Sequence, residues 1–366
     1  MNTNMPAKNC SQCLATEQMH QVTIHQDGIC NQCKDYTPFK AQSSKPLFDL
    51  FSKIKSQDHK YDALVPISGG KDSTYVLYLA KEKYHLNVLC YTLDNGFMSD
   101  IAKENIERTI KKAGVDHVWY RNGEEMMKKL YRTALMESGE ICGVCGIAIE
   151  RSMLKVSKDY KIPLILLGHS PAEDNSFTNE NIYDQNRLKA ILKQNPQVKK
   201  QEVDEFLIYP RMNFITAFLQ TKLGQFGRKI NILYFEDLPS DEEIGEIIKE
   251  ELDWRDAEDS EYTRHFDCLA EPFSNFLRDQ RFGSSRRLPQ LNDMIRNGEI
   301  SKIEAKAILE KDQESELPAN YEFIKKELQL SEKDIENIGK IPIGVYSHHA
   351  SKANQVFALA RKVFKN

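Results

Sequence analysis

The chain has 366 residues, of which 40% are apolar and 28% charged, with a formal net charge of −4 and eight cysteines. This length suits roughly two domains or one domain with appendages, and the composition suits a soluble globular protein. The small negative charge gives no global argument for nucleic acid binding. With no apolar run of about 18 residues and a polar stretch from Met1 to Cys10, neither a membrane span nor a secretory signal is expected, which predicts a cytoplasmic chain. Cysteines in that setting point to metal or redox chemistry rather than disulfides.

Residues 1–40 hold Cys10-x2-Cys13 and Cys30-x2-Cys33, two knuckles whose spacing fits a tetrahedral thiolate site of the zinc-ribbon type. Gln21-Val22-Thr23-Ile24 followed by Asp27-Gly28 predicts a short hairpin that sets the second knuckle opposite the first. Four thiolates leave no open position on the ion, so the site is structural, and Zn2+ would supply much of the folding energy of so small a unit. Such a ribbon can also touch a nucleic acid or a partner.

After a polar linker, Lys40 to Pro46, and a helix over Leu47–Lys55, strands and helices alternate. Strands are predicted at Asp62–Ile67, Asn87–Thr92, His117–Tyr120 and Pro163–Gly168. Helices are predicted at Asp72–Tyr84, Ser99–Ala113, Glu124–Met136 and Gly146–Tyr160. The pattern predicts an α/β fold with a doubly wound parallel sheet covered on both faces. Ligands on such sheets sit beyond the carboxyl ends of the strands. Cys90, inside an apolar strand, reads as a core residue. Residues 171–205 are polar and strand-poor, like an insertion or lid, and Ile230–Phe235 reads as a further strand. From Ser240 the chain turns helical: Asp241–Leu252 behind a Ser240 cap, Leu288–Arg296, Ser301–Lys311, Tyr321–Leu328 and Ala353–Phe364. These signals divide the chain into a ribbon (1–40), an α/β domain (45–239) and a helical region (240–366).

Ser68-Gly69-Gly70-Lys71-Asp72-Ser73 turns the first strand into a helix. Two glycines let the backbone approach an anion, the helix N-terminus points N–H groups at it, and Lys71, Ser68 and Ser73 add donors. An ordinary glycine-rich turn is the alternative. Asp94-Asn95-Gly96 ends the second strand, where a plain Asx turn is the alternative to a ligand contact. Gly168-His169 ends the fourth; His169 would position substrate or phosphate, or simply cap the strand. Glu173 and Asp174 would bind magnesium or solvate the loop. Arg278, Arg281, Arg286 and Arg287 form a basic cluster, either solvated surface or a phosphate- or substrate-binding patch.

Ser-Gly-Gly-Lys-Asp-Ser resembles the PP-loop of the ATP pyrophosphatase superfamily, a group with HUP-like sheets whose members split ATP into AMP and pyrophosphate. The resemblance implies that Ser68, Gly69, Gly70, Lys71, Asp72 and Ser73 hold the ATP phosphates. It also implies that Asp72 works with Mg2+ and that Asp94, Gly168 and His169 lie around the nucleotide. Cys142-Gly143-Val144-Cys145-Gly146, through Arg151, to Leu166-Leu167-Gly168-His169 resembles the superfamily members that thiolate transfer RNA. There a CxxC and one distant cysteine hold a 4Fe–4S cluster with one iron open to carry sulfur. This implies Cys142, Cys145 and Cys268 as cluster ligands, with a redox CxxC as the alternative for the first two.

The whole chain is also similar to the N-acetyl sugar amidotransferase family of surface-polysaccharide biosynthesis. The resemblance rests on the ribbon, the loop, Leu93-Asp94-Asn95-Gly96, Glu250–Arg255, Tyr262-Thr263-Arg264, Phe282-Gly283 with Arg286-Arg287, and Asn297-Gly298-Glu299-Ile300. Those enzymes take ammonia from a glutaminase partner, and the mid-domain CxxC departs from their pattern. Together these readings predict an enzyme that adenylates a carbonyl or amide oxygen and then transfers sulfur. Sugar amidotransfer is the second reading, and a non-catalytic ATP switch with a partner-recruiting ribbon is the third. A nucleotide or sugar acceptor is favoured over transfer RNA. A sulfur donor or a glutaminase subunit is the expected partner, and a homodimer is allowed for.

Overall fold

The computed structural model describes residues 8–169, 180–207, 226–257, 266–284, 287–312 and 317–351. A helical turn in the ribbon, α1 (Asn31–Lys34), and α2 (Lys45–Lys55) precede the alternating unit. That unit runs β1 (Ala63–Pro66), α3 (Lys71–Tyr78), β2 (Val88–Asp94), α4 (Asp100–Ala113), β3 (Asp116–Arg121), α5 (Glu124–Ser138), α6 (Cys142–Asp159) and β4 (Leu164–Leu167). Then come α7 (Gln185–Leu192), α8 (Lys200–Leu207) and β5 (Arg228–Asn231). The helical part holds α9 (Asp241–Leu252), α10 (Glu271–Phe282), α11 (Arg287–Asn297), α12 (Lys302–Asp312), α13 (Tyr321–Glu327) and α14 (Glu332–Gly339).

The five strands lie in the order β3-β2-β1-β4-β5, all pairs parallel. Strand alternation splits the core into two layers. Leu64, Leu89, Tyr91, Leu93 and Ile165 face α5, α6, α7 and α10. Ala63, Val65, Val88, Cys90, Leu164 and Leu166 face α2, α3, α4 and α9. Both faces are covered, which is why the central strands are apolar throughout. The order reverses between β1 and β4, which pair only at Ala63↔Leu164 and Leu64↔Ile165. Pro66 therefore sits beyond that ladder, where its missing N–H costs no pairing. The two strands part there, and the crevice opens at this switch point.

Local signals explain most boundaries. Ser99 caps α4, accepting the Ala102 amide at 3.2 Å, and Gly114 closes it in the left-handed region at φ 61°. Ser240 and Glu243 form a full capping box on α9.

Several expectations need correction. The CxxC lies in the first turn of α6, which begins at Cys142 rather than at the expected Gly146. Ile230–Phe235 is only partly strand: β5 ends at Asn231 and a 3-10 turn follows over Ile232–Phe235. Within 171–205, the described residues form α7 and α8, whose Leu188, Ile191, Val203 and Phe206 enter the core rather than a lid. The ribbon hairpin reduces to a bridge between Ile24 and Cys30, with Gly28 turning at φ 79°. Helices α10 and α14 were not anticipated. Ser170, Glu173, Asp174, Tyr262–Arg264, Arg286 and the helix at Ala353–Phe364 lie outside the described residues.

Among the described residues of the arginine cluster, Arg278, Arg281 and Arg287 are buried rather than solvated, and Arg278 and Arg281 are not open to ligand. Arg278 pairs with Glu140 at 2.9 Å, Arg281 pairs with Glu180 at 2.7 Å, and Arg287 is buried as well. Charges so placed need such partners, because desolvation alone would expel them.

Candidate active site at the switch point

The loop begins where β1 ends. Gly69 has φ +83°, and a Cβ there would lie 2.3 Å from the Ala102 carbonyl oxygen, so the position requires glycine. Its own carbonyl accepts Trp254 Nε1–H at 2.9 Å and Asn105 Nδ2–H at 3.3 Å. Asn105 also brackets the Arg255 backbone, accepting its amide at 3.0 Å and donating to its carbonyl at 2.7 Å. The loop is thus fastened from behind by α4 and by the residues after α9. Gly70 caps α3 without a side chain, so no side-chain cap covers the first-turn amides of that helix.

Ser73 Oγ accepts the Ser68 amide at 3.1 Å and lies 3.2 Å from both Ser68 Oγ and the Gly70 carbonyl. Lys71 Nζ reaches Asp72 at 2.6 Å and Asp241 at 2.7 Å. Burial opposes the charge on Lys71, but the two carboxylates prevail and raise its pKa. Gly168 must stay small: a Cβ there would lie 2.9 Å from Val76 and 3.2 Å from the Asp72 carbonyl. Glycine backbone, two hydroxyls and one lysine thus form a cradle of the donor types that suit an anion.

Asp94 sits at the lip of the neighbouring strand. It accepts the Gly96 amide at 3.0 Å and Arg121 Nε–H at 3.0 Å. Burial works against ionisation, yet these donors hold its carboxyl below the usual range. His169 is exposed; its carbonyl accepts Asn231 Nδ2–H at 2.8 Å.

The three remaining cysteines of the sequence reading come together on the opposite layer. Cys142, Cys145 and Cys268 all pack against the core cluster that contains Tyr131. Asn95 Nδ2 donates to Cys145 Sγ at 3.4 Å, and Cys142 Sγ lies 3.6 Å from Ser274 Oγ. Burial first, and then the closeness of Cys145, Asp267 and Cys142, pushes the Cys268 thiol well up. An antiparallel bridge between Met98 and Cys268, with Leu269 N–H on the Phe97 carbonyl at 2.7 Å, fixes Cys268 beside the loop after β2. Its neighbour Asp267 reaches the other way: Oδ2 lies 3.5 Å from the point a Gly70 Cβ would occupy. One dipeptide therefore touches both the phosphate cradle and the thiols.

Helix α10 sets the CxxC in place. Glu140 accepts the Cys142 amide at 2.9 Å on one oxygen and Arg278 at 2.9 Å on the other. Ser274, Arg278 and Arg281, on one face of α10, meet Cys142, Glu140 and the Gly139 carbonyl in turn. Cys90, by contrast, is buried in β2, and burial pushes its thiol up to about 12, as befits a core residue.

In the ribbon the four Sγ atoms of Cys10, Cys13, Cys30 and Cys33 lie within 4.8 Å of one another. Amides point at the sulfurs: Cys30 N–H at Cys10 Sγ and Cys33 N–H at Cys30 Sγ, both 3.3 Å. Donor set and spacing fit a single tetrahedral ion. Among the described residues no other group of three or more potential ligands lies so close. Cys142, Cys145 and Cys268 are nonetheless of the donor type that holds iron–sulfur clusters.

Trp254, Asn105, Asp241, Asp267 and Glu140 were not singled out as site residues in the sequence. Asn105 had a signal: it interrupts the apolar stripe of α4 yet is fully buried. The others become site residues only through long-range packing.

Fold and site define a doubly wound α/β protein with a glycine loop at its switch point and a four-cysteine ribbon. Its carboxyl-terminal part is more specific: residues 259–362 match the family described as "LPS biosynthesis protein WbpG-like, C-terminal domain". Two proteins of Methanocaldococcus jannaschii, both described as uncharacterized, are similar over shorter stretches. MJ1599 is 30% identical over 165 residues, 44% of this chain and 58% of that protein. MJ1016 is 27% identical over 127 residues, 34% of this chain and 42% of that protein. The chain thus spans about half the length of these relatives. Among solved structures, the U34-tRNA thiolase NcsA from Methanococcus maripaludis with its 4Fe–4S cluster aligns over 86% of this chain and 91% of its own. The TM-score is 0.36 at 17% identity, too loose to bear on chemistry. Among the described residues no helix is long and apolar enough to cross a membrane.

Proposed function

We propose that this chain is an ATP-dependent enzyme that adenylates a carbonyl or amide oxygen of a small-molecule acceptor and lets a sulfur nucleophile displace AMP. The observation that carries the reading is the Asp267-Cys268 juxtaposition: the carboxylate stands at Gly70 of the cradle and the thiol stands with Cys142 and Cys145. Activation and delivery are then served from one crevice. In this reading 1–40 is the ribbon, 45–239 the catalytic domain, and 240–366 a helical region that completes the site with Asp241, Trp254 and Asp267.

The β- and γ-phosphates of ATP lie in the cradle, bound by the amides of Gly69 and Gly70, the hydroxyls of Ser68 and Ser73, and Lys71. Asp72 serves Mg2+, which offsets the charge that would otherwise repel an attacking oxygen. Asp94, Gly168 and His169 flank the nucleotide. The acceptor oxygen attacks the α-phosphorus and pyrophosphate leaves. The nucleophile then adds to the activated carbon and AMP departs with the oxygen. Cys142, Cys145 and Cys268 would hold a 4Fe–4S cluster, which would supply a place to carry sulfur. The ribbon cysteines would hold Zn2+ in a structural role.

A second reading keeps the activation step and changes the nucleophile to ammonia from a glutaminase partner, converting a sugar acetamido group to an acetamidino group. The WbpG-like match over residues 259–362 supports it, and in this reading the acceptor is a sugar of a surface polysaccharide.

Both are tested together. The full chain, purified without oxygen, is incubated with ATP, Mg2+ and N-acetylated sugar acceptors, with sulfide or with ammonium, and products are weighed by mass spectrometry. AMP and pyrophosphate forming in step with a thioamide supports sulfur transfer. An amidine formed with ammonium, and no thioamide with sulfide, selects the second reading. ATP left intact under every condition, or split only to ADP, contradicts both.

A further inference from the structure

The ribbon is held by α11 and the start of α12, and one contact reaches its sulfurs. Arg296, in the last turn of α11, donates Nε–H to Cys33 Sγ at 3.3 Å and points Nη2 at Cys13 Sγ at 3.8 Å. Its side chain is 8% exposed and is oriented by Asp293, 3% exposed, at 2.6 Å through Nη1. Gln32 Oε1 accepts from Nη2 at 3.2 Å, and the guanidinium lies 5.7 Å from the centre of the Tyr36 ring. Two further contacts touch the ribbon backbone without touching a sulfur. Asn292 Oδ1 accepts the Leu14 amide at 2.8 Å, and Lys302 Nζ donates to the Cys10 carbonyl at 2.6 Å.

Four thiolates around a divalent ion carry a surplus of two negative charges. Burying that surplus is costly unless donors and a cation face the sulfurs. The ribbon supplies backbone amides, and Arg296, more than 260 residues away in sequence from Cys33, supplies the cation. A residue that only glued two surfaces together would have no need to aim two guanidinium nitrogens at ligand atoms from both knuckles.

We infer that Arg296, oriented by Asp293, is a charge-compensating partner of the ribbon's metal thiolates, so that metal retention depends on its guanidinium rather than on the neighbouring backbone contacts of Asn292 and Lys302. The ribbon and α11 then form one metal-dependent clasp between segments more than 260 residues apart in sequence. The inference is independent of which nucleophile the enzyme delivers.

The test uses the full-length chain loaded with Zn2+, and separately with Co2+ as a spectroscopic probe. Zn2+ release to a chromogenic chelator is compared for wild type, Arg296→Met, Arg296→Lys and Asn292→Ala. Loss of such an outer partner lowers metal affinity about 10- to 100-fold, so Arg296→Met should release Zn2+ faster by about that factor. Its Co2+ form should show a shifted sulfur-to-metal charge-transfer band, because the N–H···S bonds are gone. Arg296→Lys, which keeps the charge, should recover part of the retention. Asn292→Ala should loosen docking, read as faster proteolysis of the Tyr36–Lys45 segment, yet leave the Co2+ band in place. Equal Zn2+ release and an unchanged band in folded Arg296→Met, with folding checked by circular dichroism, would overturn the inference. So would an Asn292→Ala variant that shifts the band as much as Arg296→Met. A wild-type chain that takes up neither metal would overturn the ribbon-metal reading along with it.

Discussion

Gly69→Ala perturbs the cradle at its tightest point. The added methyl would lie 2.3 Å from the Ala102 oxygen and 2.8 Å from the carbonyl carbon and Cα of the same residue. These are backbone atoms of the first turn of α4, so no rotamer change relieves the clash. A positive φ costs a non-glycine residue about 1–2 kcal/mol, and overpacking adds about 1–3 kcal/mol. Any retreat of the loop also weakens the bonds from Trp254 and Asn105 to the Gly69 carbonyl, each worth about 1 kcal/mol. A loss of about 2–5 kcal/mol is therefore expected, together with loss of ATP binding. Gly114→Ala is the control: φ is also positive, at 61°, but nothing lies within 4 Å of its Cβ, so only the backbone cost of about 1–2 kcal/mol applies. Denaturant midpoints at constant m-value give the stabilities, and calorimetric titration gives ATP affinity. If Gly69→Ala loses no more than Gly114→Ala and binds ATP like wild type, the packing argument for the cradle is wrong.

Trp254→Phe removes the indole N–H from the Gly69 carbonyl while keeping an aromatic in the buried slot. It should cost about 1–3 kcal/mol and weaken ATP binding; unchanged affinity would show that the rear fastening is irrelevant to the cradle. Arg278→Met strands the buried Glu140 carboxylate and should destabilise by about 3–5 kcal/mol, whereas Arg278→Met combined with Glu140→Gln should recover much of that. Equal losses in single and double variants, measured by chemical denaturation, would contradict the buried-pair argument. Asp94 has a folded pKa below its ordinary value of about 3.9, so its stabilisation is present above that pH and disappears as pH falls through the folded value. Stability profiles of wild type and Asp94→Asn should accordingly diverge at neutral pH and converge in acid; a constant gap would remove the linkage. Cys90→Ala, on the opposite layer from the thiol trio, should leave iron and zinc contents unchanged.

Local chemistry accounts for what was legible beforehand. The α9 range followed from its Ser240 cap, four strands followed from apolar runs, and the two CxxC pairs predicted the ribbon set that the structure brings together. The loop's position at the carboxyl end of β1 followed from strand–glycine–helix order, whereas the switch point itself became visible only with the strand order. What failed was long-range. Helix α10 opens on Glu271-Pro272 and carries Arg278 and Arg281 on its buried side, so its pattern lacks a clean apolar stripe; the partners Glu140 and Glu180 that make burial feasible lie over 100 residues away. Asp267 and Trp254 acquire meaning only when the segments after α9 fold back over the loop.

The most direct test of the account is metal analysis of anaerobically purified, iron- and sulfide-reconstituted chain beside its Cys268→Ala variant. The account predicts about one zinc and about four iron and four sulfide per wild-type chain, with iron and sulfide lost and zinc kept in the variant. Zinc alone in the wild type, or iron retained in full by Cys268→Ala, would contradict it.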